Sequence, residues 1–189
     1  MHCSVDIVLL NHALSPVYLP VQHLLQQITL LKCLLTWISF QMLGDAESRA
    51  IIRYIANKYE NQGTALLGSS LAEKALVEQW LEVEAQNFNP AVKDSLKQAS
   101  TSPVDEEKLA QSLAKFGKVL DVYEARLSNT KFLAGDVISL ADLSHLTTGW
   151  KLFDKYKKGS VCFEGRPHVK AWWEATSSRP AWKKVLDLI

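Results

Sequence analysis

The pair Glu47-Ser48, followed by Arg49-Ala50-Ile51, stands where a loop runs into an amphipathic helix. A helix start offers free backbone N–H groups and a partial positive charge, both suited to a carboxylate. The Ser48 hydroxyl and N–H add donors, and Glu47 supplies a counter-charge for an ammonium. Together they fit a ligand end that carries a carboxylate and an ammonium side by side. The competing structural reading is an ordinary helix cap, because serine is a common N-cap residue. The five letters alone do not choose between the two.

Other residue types that do chemistry are sparse. Cys3, Cys33 and Cys162 are an odd, widely scattered set, which is neither a disulfide framework nor a metal-ligand spacing. A reducing compartment suits them. His145 sits four residues into a capped helix among Leu143 and Leu146, the setting of a structural histidine. Ser139-Leu140-Ala141-Asp142 has capping-box spacing and is expected to be structural. Phe88 and Val92 share a helical face beside Pro90, so they line either a pocket or the core.

These groups are placed by a chain of 189 residues, 48 % hydrophobic and 22 % charged, the composition of a globular protein. Lys+Arg 21 against Asp+Glu 20 gives no bias toward nucleic acid or an anionic membrane. Charge is uneven, however. Up to Leu43 the only fully charged side chains are Asp6 and Lys32, and nearly all the rest follow Gly44. Gln22, His23, Gln26, Gln27, Thr29 and Lys32 interrupt the apolar segment 17–43, so no membrane-spanning run forms. The opening Met-His-Cys-Ser-Val-Asp lacks the basic start of a signal peptide.

Periodicity predicts mostly helix. Leu24, Ile28, Leu31, Leu35 and Ile38 form a helical stripe, and Val5–Leu10 is a possible short strand. Ala50, Ile51, Tyr54, Ile55 and Tyr59 predict one face of a helix ending near Gly63. Ser70-Leu71-Ala72-Glu73 opens the next, running to about Ala99 with Trp80, Leu81, Phe88, Val92 and Leu96 inward and a kink at Pro90. Ser102 as N-cap and Pro103 at the first helical position are expected to start a third helix. Its core stripe is Leu109, Leu113, Phe116, Leu120, Tyr123 and Leu127. A helix from Ser139 to about Phe153, a polar connector over 154–165, and short helices opened by Pro167 and Pro180 complete the reading.

Four stretches carry a family resemblance: Glu47 to Ile55, Val77 to Ala85, Phe132-Leu133-Ala134-Gly135-Asp136 with Ser139 to Leu146, and Ala171-Trp172-Trp173 with Ser178-Arg179-Pro180-Ala181-Trp182. In that order they resemble plant phi-class glutathione S-transferases, over residues 47–189. The resemblance implies a mainly α fold. Residues 69–189 are expected to form the all-helical C-terminal bundle. Residues 47–63 would carry the last helix of a thioredoxin-like domain. Residues 1–46 form an atypical, irregular segment in place of most of that domain.

The resemblance also implies conjugation of glutathione to hydrophobic electrophiles in detoxification and stress response, in the cytoplasm and as a homodimer. Glutathione is a co-substrate, and no metal or prosthetic group is implied. Glu47 and Ser48 would bind the γ-glutamyl end, Phe88 and Val92 would line the co-substrate pocket, and Ser139 and Asp142 would form a buried folding cap. The catalytic residue is unknown. Ser15 is the weak candidate, since Pro16 follows it and it lies too close to Glu47 for the usual domain to fit between. Activity is therefore expected to be reduced or lost. A non-catalytic carrier of hydrophobic ligands and a protein-interaction module of the same fold are the alternatives.

Overall fold

A computed structural model describes residues 47–188. Ser15, the stripe from Leu24 to Ile38 and the possible strand Val5–Leu10 lie outside the described residues. Within them the chain is helical, with one isolated antiparallel bridge between Phe132 and Gly135. The helices are α1 (Ser48–Lys58), α2 (Leu71–Val83), α3 (Asn89–Ser100), α4 (Glu106–Leu127), α5 (Leu140–Ser144), α6 (Leu146–Trp150), α7 (Gly159–Phe163), α8 (Pro167–Ser177) and α9 (Pro180–Leu186).

Local chemistry sets the helix starts. Ser70 caps α2 as predicted: its hydroxyl accepts from the Glu73 N–H, and the Glu73 carboxylate accepts from the Ser69 and Ser70 N–H groups. The start of α4 differs from expectation. Asp105, not Ser102, is the N-cap, and its carboxylate accepts from the Lys108 N–H at 3.1 Å while pairing with the Lys108 ammonium at 2.8 Å. An ionised acceptor that gains a cation outcompetes a hydroxyl three residues earlier.

Pro90 is absorbed differently from the kink the sequence suggested. Residues Glu84–Phe88 widen into a π-helical turn, closed by the Asn89 N–H on the Glu84 carbonyl. The wider turn accommodates a residue that lacks an N–H and crowds the preceding carbonyl. A second π turn, Lys151–Lys155, follows α6. The helix expected from Ser139 to about Phe153 is thus divided at His145 and widened at its end. The supposed polar connector contains α7, which buries Cys162.

The core follows the α4 stripe. Leu109, Phe116, Leu120, Tyr123 and Leu127 are buried, and Leu113 packs against them. Around them stand Trp80 of α2, Phe88, Val92 of α3, and Trp172 and Trp173 of α8. Ring pairs meet mostly edge-on, as their quadrupoles favour: Phe88 with Phe116 at 5.2 Å and Trp80 with Tyr123 at 5.2 Å. Gly149 permits a close approach, since a Cβ there would lie 2.7 Å from the Trp173 ring.

Helix α1 ends at Lys58, short of Gly63, and its buried face is Ile52, Ile55 and Ala56. Ala50 and Tyr54, expected on the inward face, are exposed. Apolar residues lie on more than one side of this helix, and periodicity alone does not choose between them. Ion pairs fix it to the bundle: Arg53 reaches Glu78 and Glu82 of α2, and Arg49 reaches Glu84.

Candidate functional site

At the start of α1 the Glu47 carbonyl accepts from the Ala50 N–H at 2.9 Å and the Ile51 N–H at 3.2 Å. The N–H groups of Ser48 and Arg49 lie ahead of the first helical carbonyl that could accept from them. The Glu47 side chain makes no capping bond, and no acidic residue occupies the first turn. Glu47 is exposed and Ser48 half-buried. The terminus is therefore not neutralised by a carboxylate of its own helix. It presents donors and positive potential beside an exposed carboxylate.

Arg49 adds to this. Its guanidinium holds the Glu84 carboxylate through Nε at 2.8 Å and Nη2 at 2.6 Å, and Glu84 is only 3 % exposed. Burial pushes the Glu84 carboxyl above the ordinary range, while Arg49 pulls it back. The pair locks the first turn of α1 onto the π turn after α2. Sequence reasoning assigned Arg49 no role. The partners lie 35 positions apart, a separation at which no local pattern links them.

The other named residues fall in the core. Phe88 and Val92 have no exposed surface. Phe88 packs on Phe116, on Tyr123 and on His145, at 4.5 Å from the last. Both side chains sit in the core, with helices α4 and α6 packed against this face.

His145 is fully buried. Its Nδ1 donates to the Ala141 carbonyl at 2.7 Å, which leaves Nε2 to accept from the Tyr123 hydroxyl at 3.0 Å. Burial pushes its pKa down to about 3, so the ring is neutral, and burial raises the Tyr123 phenol as well. Neither group can exchange protons with a ligand near neutral pH. Cys162 is buried and free, and its thiol is pushed up to about 12 by burial, so it is no nucleophile.

Asp142 has no exposed surface. One carboxylate oxygen accepts from the Leu133 N–H and the Trp172 indole, each at 2.9 Å. The other accepts from the Ser139 N–H at 2.8 Å and the Ser139 hydroxyl at 2.9 Å. Ser139 and Asp142 thus form the capping box of α5 and tie it to the 132–135 bridge and to α8. Burial raises the Asp142 pKa, and these four donors oppose the rise.

The family model described as "Glutathione S-transferase, C-terminal domain" matches residues 83–180. Glutathione S-transferase F10 of Arabidopsis thaliana is 45 % identical over 148 residues, covering 74 % of this chain and 66 % of that protein. This chain belongs to the glutathione S-transferase family. The similarity to F-numbered plant members bears out the phi-class resemblance. The chain spans just under two thirds of the F10 length. The crystal structure of glutathione transferase F2 from Populus trichocarpa superposes with a TM-score of 0.70 at 36 % identity, covering 81 % of this chain and 79 % of that one. Glutathione S-transferase I from maize, solved with an atrazine glutathione conjugate, gives 0.66 at 42 % identity, covering 76 % and 68 %. These neighbours also bear out the mainly helical fold expected of the described region.

Among the described residues no cluster of His, Cys, Asp and Glu could hold a metal, and no helix is long and apolar enough to cross a membrane.

Proposed function

We propose that this chain conjugates glutathione to hydrophobic electrophiles, with Glu47 and Ser48 at the γ-glutamyl end of the tripeptide. The observation that carries this reading is the first turn of α1, in a chain of this family: N–H donors with no acceptor among the described residues, no acid in the turn, and an exposed Glu47 beside it. The γ-glutamyl carboxylate would take the Ser48 and Arg49 N–H groups and the Ser48 hydroxyl, and Glu47 would meet the ammonium. The maize neighbour, solved with a glutathione conjugate, supports a ligand of this class.

In the reaction the glutathione thiol gives its proton to water or base. The thiolate attacks the electrophilic carbon, a C–S bond forms, and the leaving group departs with the electron pair. Among the described residues His145 and Cys162 are buried and take no part in this step. Family kinship further supports a homodimer in the cytoplasm, with residues 47–63 carrying the last helix of the thioredoxin-like part and residues 69–189 the helical domain. Turnover of 1-chloro-2,4-dinitrobenzene by the full chain tests the reading. Conjugate forming faster than in enzyme-free glutathione solution is expected, and a rate equal to that background would refute it.

A further inference from the structure

The balance of charge over the whole chain hides a local excess. Lys151, Lys155, Lys157 and Lys158 fall within eight positions, where the π turn Lys151–Lys155 runs toward α7. Asp154 is the one acid among residues 151–163. The backbone gathers these lysines onto a short turn. The Tyr156 N–H donates to the Lys151 carbonyl at 2.9 Å, and the Lys158 N–H to the Leu152 carbonyl at 3.1 Å. Leu152 and Phe153 fill the core side of the turn and leave the lysines on its outer side. Lys151, Lys155 and Lys157 are exposed, and Lys158 is half-buried. Lys157 stands at φ 56°, in the left-handed region that glycine or asparagine usually occupies. A position suited to a small residue thus carries the third exposed ammonium.

Like charges packed this closely repel unless an anion screens them. Asp154 acts on Lys157 alone of the four, and it also meets the Trp173 side chain. None of the four lysines forms an ion pair among the described residues. Val161 of α7, three positions beyond Lys158, is 52 % exposed and adds an open aliphatic side chain. Basic residues beside an exposed aliphatic one match anionic headgroups over acyl chains. A single-stranded nucleic acid would need an exposed aromatic ring to stack on, and Tyr156 is half-buried. We propose that this turn docks the protein reversibly on an anionic phospholipid surface, with the four lysines on the headgroups and Val161 between them and the acyl chains. The patch uses no residue of the proposed glutathione end, so the inference stands apart from that reading.

Flotation of the full chain with vesicles tests it. At low salt the chain is expected to float with phosphatidylcholine–phosphatidylserine vesicles and not with phosphatidylcholine alone. Each basic residue beside such a surface strengthens binding about fivefold, so the triple variant Lys151→Gln, Lys155→Gln, Lys157→Gln should bind roughly a hundredfold more weakly. Lys183→Gln with Lys184→Gln, two lysines of α9, should bind as wild type. Raising the salt to about 0.5 M should release the wild-type chain, a reading that needs no variant. Equal flotation with both kinds of vesicle, wild-type binding by the triple variant, or equal loss in the α9 variant would each overturn the proposal. No flotation at low salt would overturn it too, and capture on polyuridylate in that case would place a nucleic acid on the patch instead.

Discussion

Replacing Asp142 with alanine removes one side chain and strands donors on three parts of the chain. The Leu133 N–H, the Ser139 N–H and the Trp172 indole N–H all point at its carboxylate, at 2.8–2.9 Å. None can become an acceptor, and only the Ser139 hydroxyl can turn elsewhere. Asp142, Leu133 and Trp172 are at most 2 % exposed, so water does not readily replace the lost oxygens. Each stranded buried donor costs about 1–3 kcal/mol, and such costs overlap within one network. A total of about 3–5 kcal/mol follows, above the range of an exposed N-cap. Asp142→Asn should cost less, because its oxygen can still serve Leu133 and Trp172 while its amide opposes the Ser139 N–H. Urea unfolding of the full chain, followed by tryptophan fluorescence, measures both. At this chain length the alanine variant should also melt roughly 10 °C lower. A loss below about 1 kcal/mol for alanine, or a larger loss for asparagine than for alanine, would show that these four contacts do not hold α5 to α8.

Three further outcomes are expected. His145 stays neutral with its pKa near 3 against the ordinary 6.5, so only the unfolded chain takes up the proton between those values; stability should fall by about 1.4 kcal/mol per unit as pH drops below 6.5, and thermal melts of His145→Gln should lack that share of the slope. Arg49→Met strands the buried Glu84 carboxylate and should cost about 3–5 kcal/mol in urea unfolding, whereas Arg53→Met, whose partners Glu78 and Glu82 are exposed, should cost under about 1 kcal/mol; equal losses would contradict the assignment. Gly149→Ala places a methyl group 2.7 Å from the Trp173 ring and should destabilise by about 1–3 kcal/mol with a shifted tryptophan emission, and an unchanged spectrum and midpoint would refute that contact.

What could be read from the sequence was local. The capping boxes at Ser70 and Ser139 join residues three apart, and the Leu109–Leu127 stripe repeats within one helix, so each declares itself in a short window. The start of α4 was misplaced because Ser102 and Asp105 both offer caps, and the choice turned on Lys108. Pro90 announced a disturbance, but whether a helix bends or widens depends on what packs around it, here Phe88 against Phe116 and His145. The proposed glutathione end was legible as far as Glu47 and Ser48, since a helix start is also a local feature. Its support was not. Arg49 meets Glu84 only after the chain folds back, and Tyr123 meets His145 in the same way. Phe88 and Val92 have the spacing of an exposed apolar face and of a buried one alike, and only the position of α4 and α6 decides.

The central claim is that the first turn of α1 receives the γ-glutamyl end of glutathione, and calorimetric titration of glutathione into the full chain tests it most directly. The account predicts measurable binding. It also predicts roughly ten- to hundredfold loss in Ser48→Ala and in Glu47→Gln, each removing one charge-assisted contact. Glu60→Gln, beyond the end of the same helix, should bind as wild type. Wild-type affinity in both Ser48→Ala and Glu47→Gln, or no binding by the unaltered chain, would contradict it.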